Sequence, residues 1–252
     1  MSLKGLYSAI LFLVLATSLL FAQSTELEKA NGLYKNGEYQ GAAMLYEDIA
    51  KTYGISPELY YNTGNAYYKA GEIGRSILFY ERALRLAPNY EDARVNLELA
   101  QTKVVDNIVQ VPPFFVKRWV DLLIKSLSVD QWYVLSVVVF IVTLVCFLFF
   151  VFGSSMSLRK VAFYGAFGLL FVTIVAVTFA TIRRGQITNH TEAIIMSGTI
   201  TIKSSPDKSG TDLFQLHEGT KVVIKSKLGN WTEIKLGNGN IGWLEASNIE
   251  EI

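Results

Sequence analysis

Few side chains in this 252-residue chain have the types and spacing that chemistry at a site requires. The single cysteine, Cys146, lies within an uncharged stretch, and the two histidines, His190 and His217, are far apart. They provide neither the ligand spacing of a zinc site nor a nucleophile beside its base. The sequence also lacks GxSxG, Walker and HExxH motifs. We therefore expect no metal, no cofactor and no catalytic residues, and a protein that is not an enzyme.

The side chains that remain for chemistry are hydrogen-bonding groups, and they recur at a fixed spacing. A shift of 34 residues aligns 30–51 with 64–85, and the same residue types meet at several positions. The aligned pairs include Asn31 with Asn65, Tyr34 with Tyr68, and Lys35 with Lys69. A 34-residue period with this pattern of small, aromatic and proline positions resembles the tetratricopeptide repeat.

This resemblance implies pairs of antiparallel helices that stack into an α-helical solenoid over residues 23–110. The repeats would cover about 23–56 and 57–90, and a capping helix would follow at 91–104. Such a helix could be the first helix of an incomplete third repeat or the solvated cap that a solenoid needs.

Local residue types support these helices. Gly37 and Gly71 fall in the turns between paired helices, where a helix C-terminus favours positive φ. Pro88 should stop the second helix of the second repeat just before it. Small residues such as Ala30 and Gly64 would let neighbouring helices approach closely.

Solenoids of this family usually bind peptides or partner proteins on the concave face formed by the first helix of each repeat. The predicted partner-binding residues on that face are Asn31, Tyr34, Lys35, Tyr61, Asn65, Tyr68, Lys69 and Asn96. An alternative is that Asn31 and Asn65 only tie down backbone between helices and that the tyrosines only pack. The carboxylate-clamp mode of the family would need basic residues where this chain has Leu27 and Tyr61.

Two uncharged stretches predict a transmembrane hairpin. At 1.5 Å per residue in a helix, residues 133–152 and 161–182 are each long enough to cross a hydrocarbon core of roughly 30 Å. Residues 153–160 would form a short cytoplasmic loop between them. The alternative is a pair of buried core helices in a soluble protein. Neither span contains Asp, Glu, Lys, Arg or His, which argues against a transporter or a proton relay.

The N-terminus predicts export. Residues 1–22 have the charged start, apolar run and small final residue of a signal peptide, with cleavage expected after Ala22. An uncleaved anchor helix is the alternative, and either would place the residues after it in the periplasm of a bacterium with two membranes. Arg159 and Lys160 in the loop fit the positive-inside rule, whereas the basic residues flanking the hairpin do not. The signal sequence therefore decides the predicted orientation.

Residues 111–132 predict a helix that lies in the headgroup region of a membrane. Two prolines break the preceding helix, and apolar and aromatic residues then share one helical face. The basic residues Lys117, Arg118 and Lys125 fall elsewhere on the helix. A helix packed on a partner subunit would use the same apolar face. Ser128 should cap the first span.

Charge is distributed unevenly along the chain, although its net value is only +1. Residues 23–110 carry −3, residues 111–191 carry +5 and residues 192–252 carry −2. Two mildly acidic modules thus flank a basic membrane region. Neither has the cationic surface that nucleic-acid binding requires, so we expect no nucleic-acid partner.

Residues 186–252 predict a small all-β module. Alternating apolar positions with turn residues between them favour six short strands, and a module of this size suggests a barrel. The predicted strands are 193–195, 199–203, 213–216, 222–224, 231–234 and 241–244.

The order of short motifs in this module resembles the bacterial SH3 domain. The motifs are Ser205-Pro206, Leu216-His217-Glu218-Gly219-Thr220, Gly229-Asn230-Trp231 and Gly242-Trp243-Leu244. The resemblance implies a ligand groove that would include Trp231 and Trp243. The alternative is that both tryptophans serve only packing.

The order of modules, together with the segment PPFFVKRW, resembles the BatE-type proteins of the Bacteroides aerotolerance operon. The predicted fold class is a multidomain membrane protein with a tetratricopeptide solenoid, a two-helix transmembrane hairpin and a C-terminal SH3-like barrel. The resemblance implies an inner-membrane scaffold with both soluble modules in the periplasm. Its partners would be von Willebrand factor A-type membrane proteins and a MoxR-type ATPase system, in oxygen or envelope stress tolerance. A peptidoglycan sensor or anchor that acts through residues 186–252 is the alternative.

Overall fold

The computed structural model describes residues 23–108, 114–189 and 191–252. The predicted signal peptide, 1–22, and the two prolines of the predicted interfacial segment lie outside these residues. The described residues divide into two compact units. One unit combines the residues up to 108 with those from 191 onward, and the other consists of 114–189.

Helices form the described N-terminal part of the first unit, in the order that the repeats predict. They are α1 at residues 23–35, α2 at Tyr39–Tyr53, α3 at Pro57–Ala70, α4 at Ile73–Leu86 and α5 at Glu91–Gln101. Gly37 and Gly71 occupy the predicted turns with φ of 85° at each. Helix α4 ends two residues before Pro88, as predicted. The predicted capping helix ends earlier than expected, because the chain turns after Gln101 and brings Val104 against the C-terminal part of the unit.

Close packing of α3 on α4 depends on a glycine. A Cβ atom added at Gly64 would lie 2.7 Å from two ring carbons of Tyr80 and 3.3 Å from the backbone oxygen of Ser76. Tyr80 is buried, and its ring fills the space that the missing side chain leaves. The small residue predicted at this position is therefore required by the helix contact.

The C-terminal part of the first unit is an antiparallel sheet. Its strands are β1 at Glu192–Ile195, β2 at Thr199–Lys203, β3 at Asp212–His217, β4 at Lys221–Leu228, β5 at Trp231–Lys235, β6 at Ile241–Glu245 and β7 at Ile249–Glu251. The strand order is β3-β2-β6-β5-β4-β1-β7. Buried apolar residues of one face, including Ile202, Ile234 and Leu244, form the core of the sheet.

The six predicted strands are present, but the sheet differs from the prediction in two ways. A seventh strand, β7, follows the short 3₁₀ helix Ala246–Asn248 and pairs with β1. Its sequence, with two glutamates in three residues, gives no alternating apolar pattern. In addition, the pairings among the described residues leave β3 and β7 as the two edges of the sheet, so the predicted closed barrel is not seen.

Helix α4 joins the repeats to the sheet. Half of its 14 residues are buried, more than the single stripe that a surface helix buries. Ile194 of β1 and Ile252 belong to the same buried apolar cluster as the residues of the helices. The turn between β3 and β4 comes so close that a Cβ atom at Gly219, where φ is 87°, would lie 3.0 Å from Cδ1 of Ile77. The repeats and the sheet therefore share one core.

A glutamate of the sheet caps α4. The residue before the helix, Glu72, makes no side-chain capping bond, and the backbone N–H of Gly74 instead donates to Oε1 of Glu218 over 2.9 Å. A carboxylate at a helix N-terminus satisfies a free N–H group and interacts favourably with the helix dipole. Gly74 is needed for this approach, because a Cβ atom there would lie 2.6 Å from Cγ of Glu218.

Asp106, in the segment after α5, binds the turn between β3 and β4. Its carboxylate accepts hydrogen bonds from the backbone N–H of His217 over 2.7 Å and from the hydroxyl of Thr220 over 2.6 Å. The Nδ1 atom of His217 lies 2.8 Å from its other oxygen. Burial alone would raise the pKa of the Asp106 carboxyl, but these hydrogen bonds outweigh it and hold the pKa below its ordinary value.

Ion pairs complete the contact between α4 and the sheet. Nζ of Lys221 lies 2.9 Å from Glu81 of α4 and 3.0 Å from Glu192 of β1. Burial works to lower the pKa of Lys221, and the two carboxylates overcome that effect and raise it. Arg82 of α4 donates to the backbone oxygen of Glu251 over 2.6 Å, next to the apolar contact of Ile252.

The second unit consists of three helices within the described residues. They are α6 at Phe115–Lys125, α7 at Val129–Phe152 and α8 at Met156–Thr188. Ser128 caps α7, as predicted, in a reciprocal capping box with Gln131. Both α7 and α8 are long and apolar enough to cross a membrane. Both extend beyond the predicted spans, and the predicted loop 153–160 shrinks to three residues because Ser155 caps α8.

Small residues form the seam between α7 and α8. Those buried on α7 are Ser136 and Thr143, and those on α8 are Ala162, Thr173, Ala176 and Ala180. These positions are seven residues apart on α7 and 11, three and four residues apart on α8, and each of these spacings keeps one face of a helix against its neighbour. Cys146 continues this line three residues after Thr143 and is partly buried. Gly165 and Gly168 lie off the seam, with no atom within 4 Å of an added Cβ.

We predict that Asp106→Asn destabilises the first unit by about 1–2 kcal/mol, because one charged acceptor of three hydrogen bonds is lost. Since the pKa of Asp106 is lowered by folding, its contribution should be complete above about pH 4 and disappear as the pH falls through the depressed value. Urea unfolding of the full chain in detergent, followed by circular dichroism from neutral to acidic pH, measures the effect. Asp48→Asn, at an exposed carboxylate of α2, is the control. A difference from wild type that stays constant with pH would contradict the assignment.

Candidate partner-binding site

A cavity of about 300 Å³ opens on the surface formed by α1, α3 and α5. These are the helices that the repeat pattern assigns to the binding face. The lining residues are Tyr34, Tyr61, Asn65, Tyr68, Lys69, Tyr80, Asn96 and Leu99. All belong to the helical repeats, so the sheet leaves this cavity open.

Six of the eight predicted partner-binding residues meet in this cavity. They are Tyr34, Tyr61, Asn65, Tyr68, Lys69 and Asn96. The other two, Asn31 and Lys35, do not line it. Asn31 instead accepts a hydrogen bond of 2.5 Å from the hydroxyl of Tyr46 on α2, and Lys35 is exposed at the end of α1.

Asn65 lies at the centre of the hydrogen bonds in the cavity. Its Oδ1 accepts from the hydroxyl of Tyr80 and from Nδ2 of Asn96, each over 2.8 Å. Nδ2 of Asn96 also lies 3.3 Å from the hydroxyl of Tyr61. The oxygen of Asn65 therefore connects α3, α4 and α5. These bonds, like that of Asn31 with Tyr46, join side chains, whereas the alternative role predicted for Asn31 and Asn65 is to tie down backbone between helices. Asn65 also faces the cavity.

The tyrosines supply hydroxyl groups that stay protonated. Burial raises the pKa of Tyr34 and of Tyr80 above the ordinary value, so both act as neutral hydrogen-bonding groups at physiological pH. The ring of Tyr61 packs against Tyr80, with centroids 6.2 Å apart, and against Tyr90, with centroids 5.2 Å apart. These contacts fix the wall of the cavity before any ligand binds.

The charged side chains at and beside this cavity are lysines. Lys69 lines the cavity, and Nζ of Lys103 lies 5.8 Å from the ring centroid of Tyr68. Lys35, Lys69 and Lys103 are spaced 34 residues apart, so they occupy equivalent positions of the 34-residue period. Hydroxyl, amide and ammonium groups together favour a ligand rich in carbonyl or carboxylate oxygens.

Two lining residues and one flanking lysine are absent from the predicted binding face. Continuing the 34-residue period into the third helix would have found Leu99, which corresponds to Asn65, and Lys103, which corresponds to Lys69. The repeat pattern indicates only a packing role for Tyr80, and Tyr80 does pack between helices while its ring also reaches the cavity.

A second cavity, of about 530 Å³, lies on the outer face of the sheet. Its lining residues are Thr199, Ile200, Thr201, Lys203, Lys208, Asp212, Trp231, Glu245 and Asn248. Trp231 pairs with Glu245, and Trp243 pairs with Glu233, so both predicted tryptophans point to the face opposite the core. Only Trp231 of the two lines the cavity. Lys203 forms an ion pair with Asp212 at its edge.

Comparison with known proteins identifies the second helix pair. Residues 57–90 match the tetratricopeptide repeat family. These residues contain α3, α4 and the turn after α4, which confirms the predicted second repeat. No curated protein matches the chain.

We predict that Asn65 and Tyr80 stabilise the repeats jointly. Asn65→Ala leaves the buried Tyr80 hydroxyl without its acceptor, whereas Tyr80→Phe removes the hydroxyl itself. A double-mutant cycle by thermal unfolding of the full chain should give a coupling free energy of about 1–2 kcal/mol. Asn36→Ala, in the exposed turn after α1, is the control and should be neutral. Additive effects of the two substitutions would show that the hydrogen bond contributes nothing.

Proposed function

We propose that the chain is a non-enzymatic, membrane-anchored scaffold that binds partner proteins through its helical repeats. The tetratricopeptide match and the cavity on α1, α3 and α5 carry this proposal, because repeats of this family serve protein–protein interaction. The cavity is too small for a folded partner but suits two or three side chains of an extended segment. A loop or tail of a partner is therefore the ligand that we expect.

The membrane anchor is the pair α7 and α8. With 24 and 33 residues, these helices are about 36 and 50 Å long, and each exceeds the thickness of a hydrocarbon core. In the most apolar 18-residue stretch of each helix, only 11% is buried, whereas a core helix of a soluble protein would be mostly buried. The exposed apolar residues on α6, including Phe115 and Trp119, are consistent with a helix at the membrane surface.

Packing of the repeats on the sheet supports a common compartment for both. The two spans lie between these parts in the sequence, and two crossings return the chain to the side from which it started. Since α4 and the sheet share one core, the residues before and after the hairpin must meet on one side. With the predicted signal peptide, that side is the periplasm of a bacterial inner membrane.

The finer proposal is a role in a Bat-type aerotolerance or envelope stress complex. The order of modules resembles the BatE-type proteins, and that resemblance suggests von Willebrand factor A-type membrane proteins and a MoxR-type ATPase system as partners. The scaffold would hold such a partner by a segment seated on the repeats. The absence of Asp, Glu, Lys, Arg and His from the sequence of the predicted spans fits an anchor better than a pore.

A second candidate function is the binding of peptidoglycan by the sheet, whose sequence motifs resemble those of the bacterial SH3 domain. The observation that favours it is the cavity on the outer face, where Trp231 offers an aromatic surface beside threonine hydroxyls and Lys203. It would make the chain a cell-wall sensor or anchor.

We predict that the double substitution Tyr68→Ala and Lys69→Ala reduces co-purification of a von Willebrand factor A-type protein of the same genome by about tenfold. The full chain is crosslinked in native membranes and recovered under denaturing conditions. Lys51→Ala, at an exposed lysine of α2, is the matched control and should retain the partner. Loss on Trp231→Ala instead, together with loss of sedimentation with purified peptidoglycan, would favour the second candidate.

We also predict one side of the membrane for both soluble parts. In a Cys146→Ala background, single cysteines replace Asn36 in the first turn of the repeats, Lys225 in the sheet and Ser154 in the hairpin turn, all of them exposed. An impermeant maleimide added to cells with a permeabilised outer membrane should label the first two and not the third. Labelling that differs between positions 36 and 225 would contradict the proposed topology.

A further inference from the structure

A cavity lies at the turn of the hairpin, away from the repeats in sequence and unused by the proposed scaffold. It has a volume of about 350 Å³ and is lined by Phe150, Met156, Arg159, Lys160, Phe163 and Tyr164. Its walls are apolar, and the rings of Phe150 and Phe163 lie 5.4 Å apart across the seam of α7 and α8. Two cations are the charged groups of its lining.

Arg159 is held in this cavity by the end of α7. Its Nε donates to the backbone oxygen of Phe150 over 3.0 Å, and its guanidinium lies 5.7 Å from the centroid of the Phe150 ring. Gly153 permits this arrangement, because a Cβ atom there would lie 3.2 Å from Cγ of Arg159 and 2.4 Å from the backbone oxygen of Phe149. The guanidinium is therefore positioned by the hairpin itself.

Among the described residues of the second unit, no carboxylate balances these cations. The sequence contains no Asp or Glu from 131 to 189. The acidic residues described in this unit are Asp121 and Asp130, and Asp130 lies at the opposite end of α7, about 30 Å along the helix from Phe150. Arg159 and Lys160 are the fourth and fifth residues of α8, so both follow directly on its first turn. An anion in this cavity would thus be stabilised by its two cations.

We propose that this cavity binds the headgroup of an anionic phospholipid. The two cations would hold the phosphate, and the aromatic walls would contact the upper part of an acyl chain. A free phosphate ion would leave the walls of Phe150 and Phe163 uncovered, so a lipid fits the lining better. The inference rests on the proposed membrane hairpin, because only a spanning pair of helices places this turn at the level of lipid headgroups.

Native mass spectrometry of the full chain, delipidated in detergent and titrated with phosphatidylglycerol or phosphatidylcholine, tests the proposal. Wild type should prefer phosphatidylglycerol, and Arg159→Gln with Lys160→Gln should weaken that binding about tenfold. The charge-matched control is Lys117→Gln with Arg118→Gln on α6, which should leave the binding within about twofold of wild type. Arg159→Lys with Lys160→Arg keeps both charges and should retain the preference, which guards against a variant that merely misfolds.

Three results would overturn the proposal. If the α6 control weakens phosphatidylglycerol binding as much as the hairpin variant does, the lipid is attracted by basic residues in general and not by this cavity. If wild type does not prefer phosphatidylglycerol to phosphatidylcholine, the cavity is not a site for anionic lipid. If millimolar inorganic phosphate displaces the lipid, the two cations bind free phosphate rather than a lipid headgroup. Maleimide labelling of Ser154→Cys, carried out on the same variants, reports membrane insertion separately. A correctly inserted chain without lipid preference would refute this inference alone and leave the scaffold proposal intact.

Discussion

Contact between α4 and the C-terminal sheet is the interaction on which the rest of the structure depends. It buries Ile194 and Ile252 in the core of the helical repeats, and burial of each such side chain is worth roughly 1.5–3 kcal/mol. Glu218 caps α4, and Asp106 binds the turn that carries Glu218. The five helices α1 to α5 alone have a small core, and the sheet supplies a further packing surface for α4.

This contact also determines which surface remains available. The sheet packs against α4, the second helix of its repeat, so the first helices keep their open face. The tyrosines and asparagines of that face are fixed by hydrogen bonds among α3, α4 and α5 before a partner arrives. A prearranged surface loses less conformational freedom when a partner binds.

Local features of the fold were predictable from the sequence, and long-range contacts were not. The 34-residue period located the helix pairs and six residues of the cavity, and the glycines with positive φ and the Ser128 cap follow from chemistry within a few residues. Docking of the sheet on α4 joins residues more than a hundred positions apart, such as Gly74 and Glu218. The spacing of apolar residues along the sequence does not indicate which distant residues come into contact. Strand β7 escaped detection because its pairing with β1, and not its composition, makes it a strand.

The shared core of α4 and the sheet can form only after the last residues of the chain have been made. Ribosomes make the repeats first, then the two apolar helices, and last the sheet that covers α4. Until the final strands have been made, Ile77 and its neighbours on α4 lack the cover that β1 and Ile252 provide. A nascent chain halted at the hairpin would thus expose an apolar helix face, which is the feature that quality-control chaperones and proteases recognise.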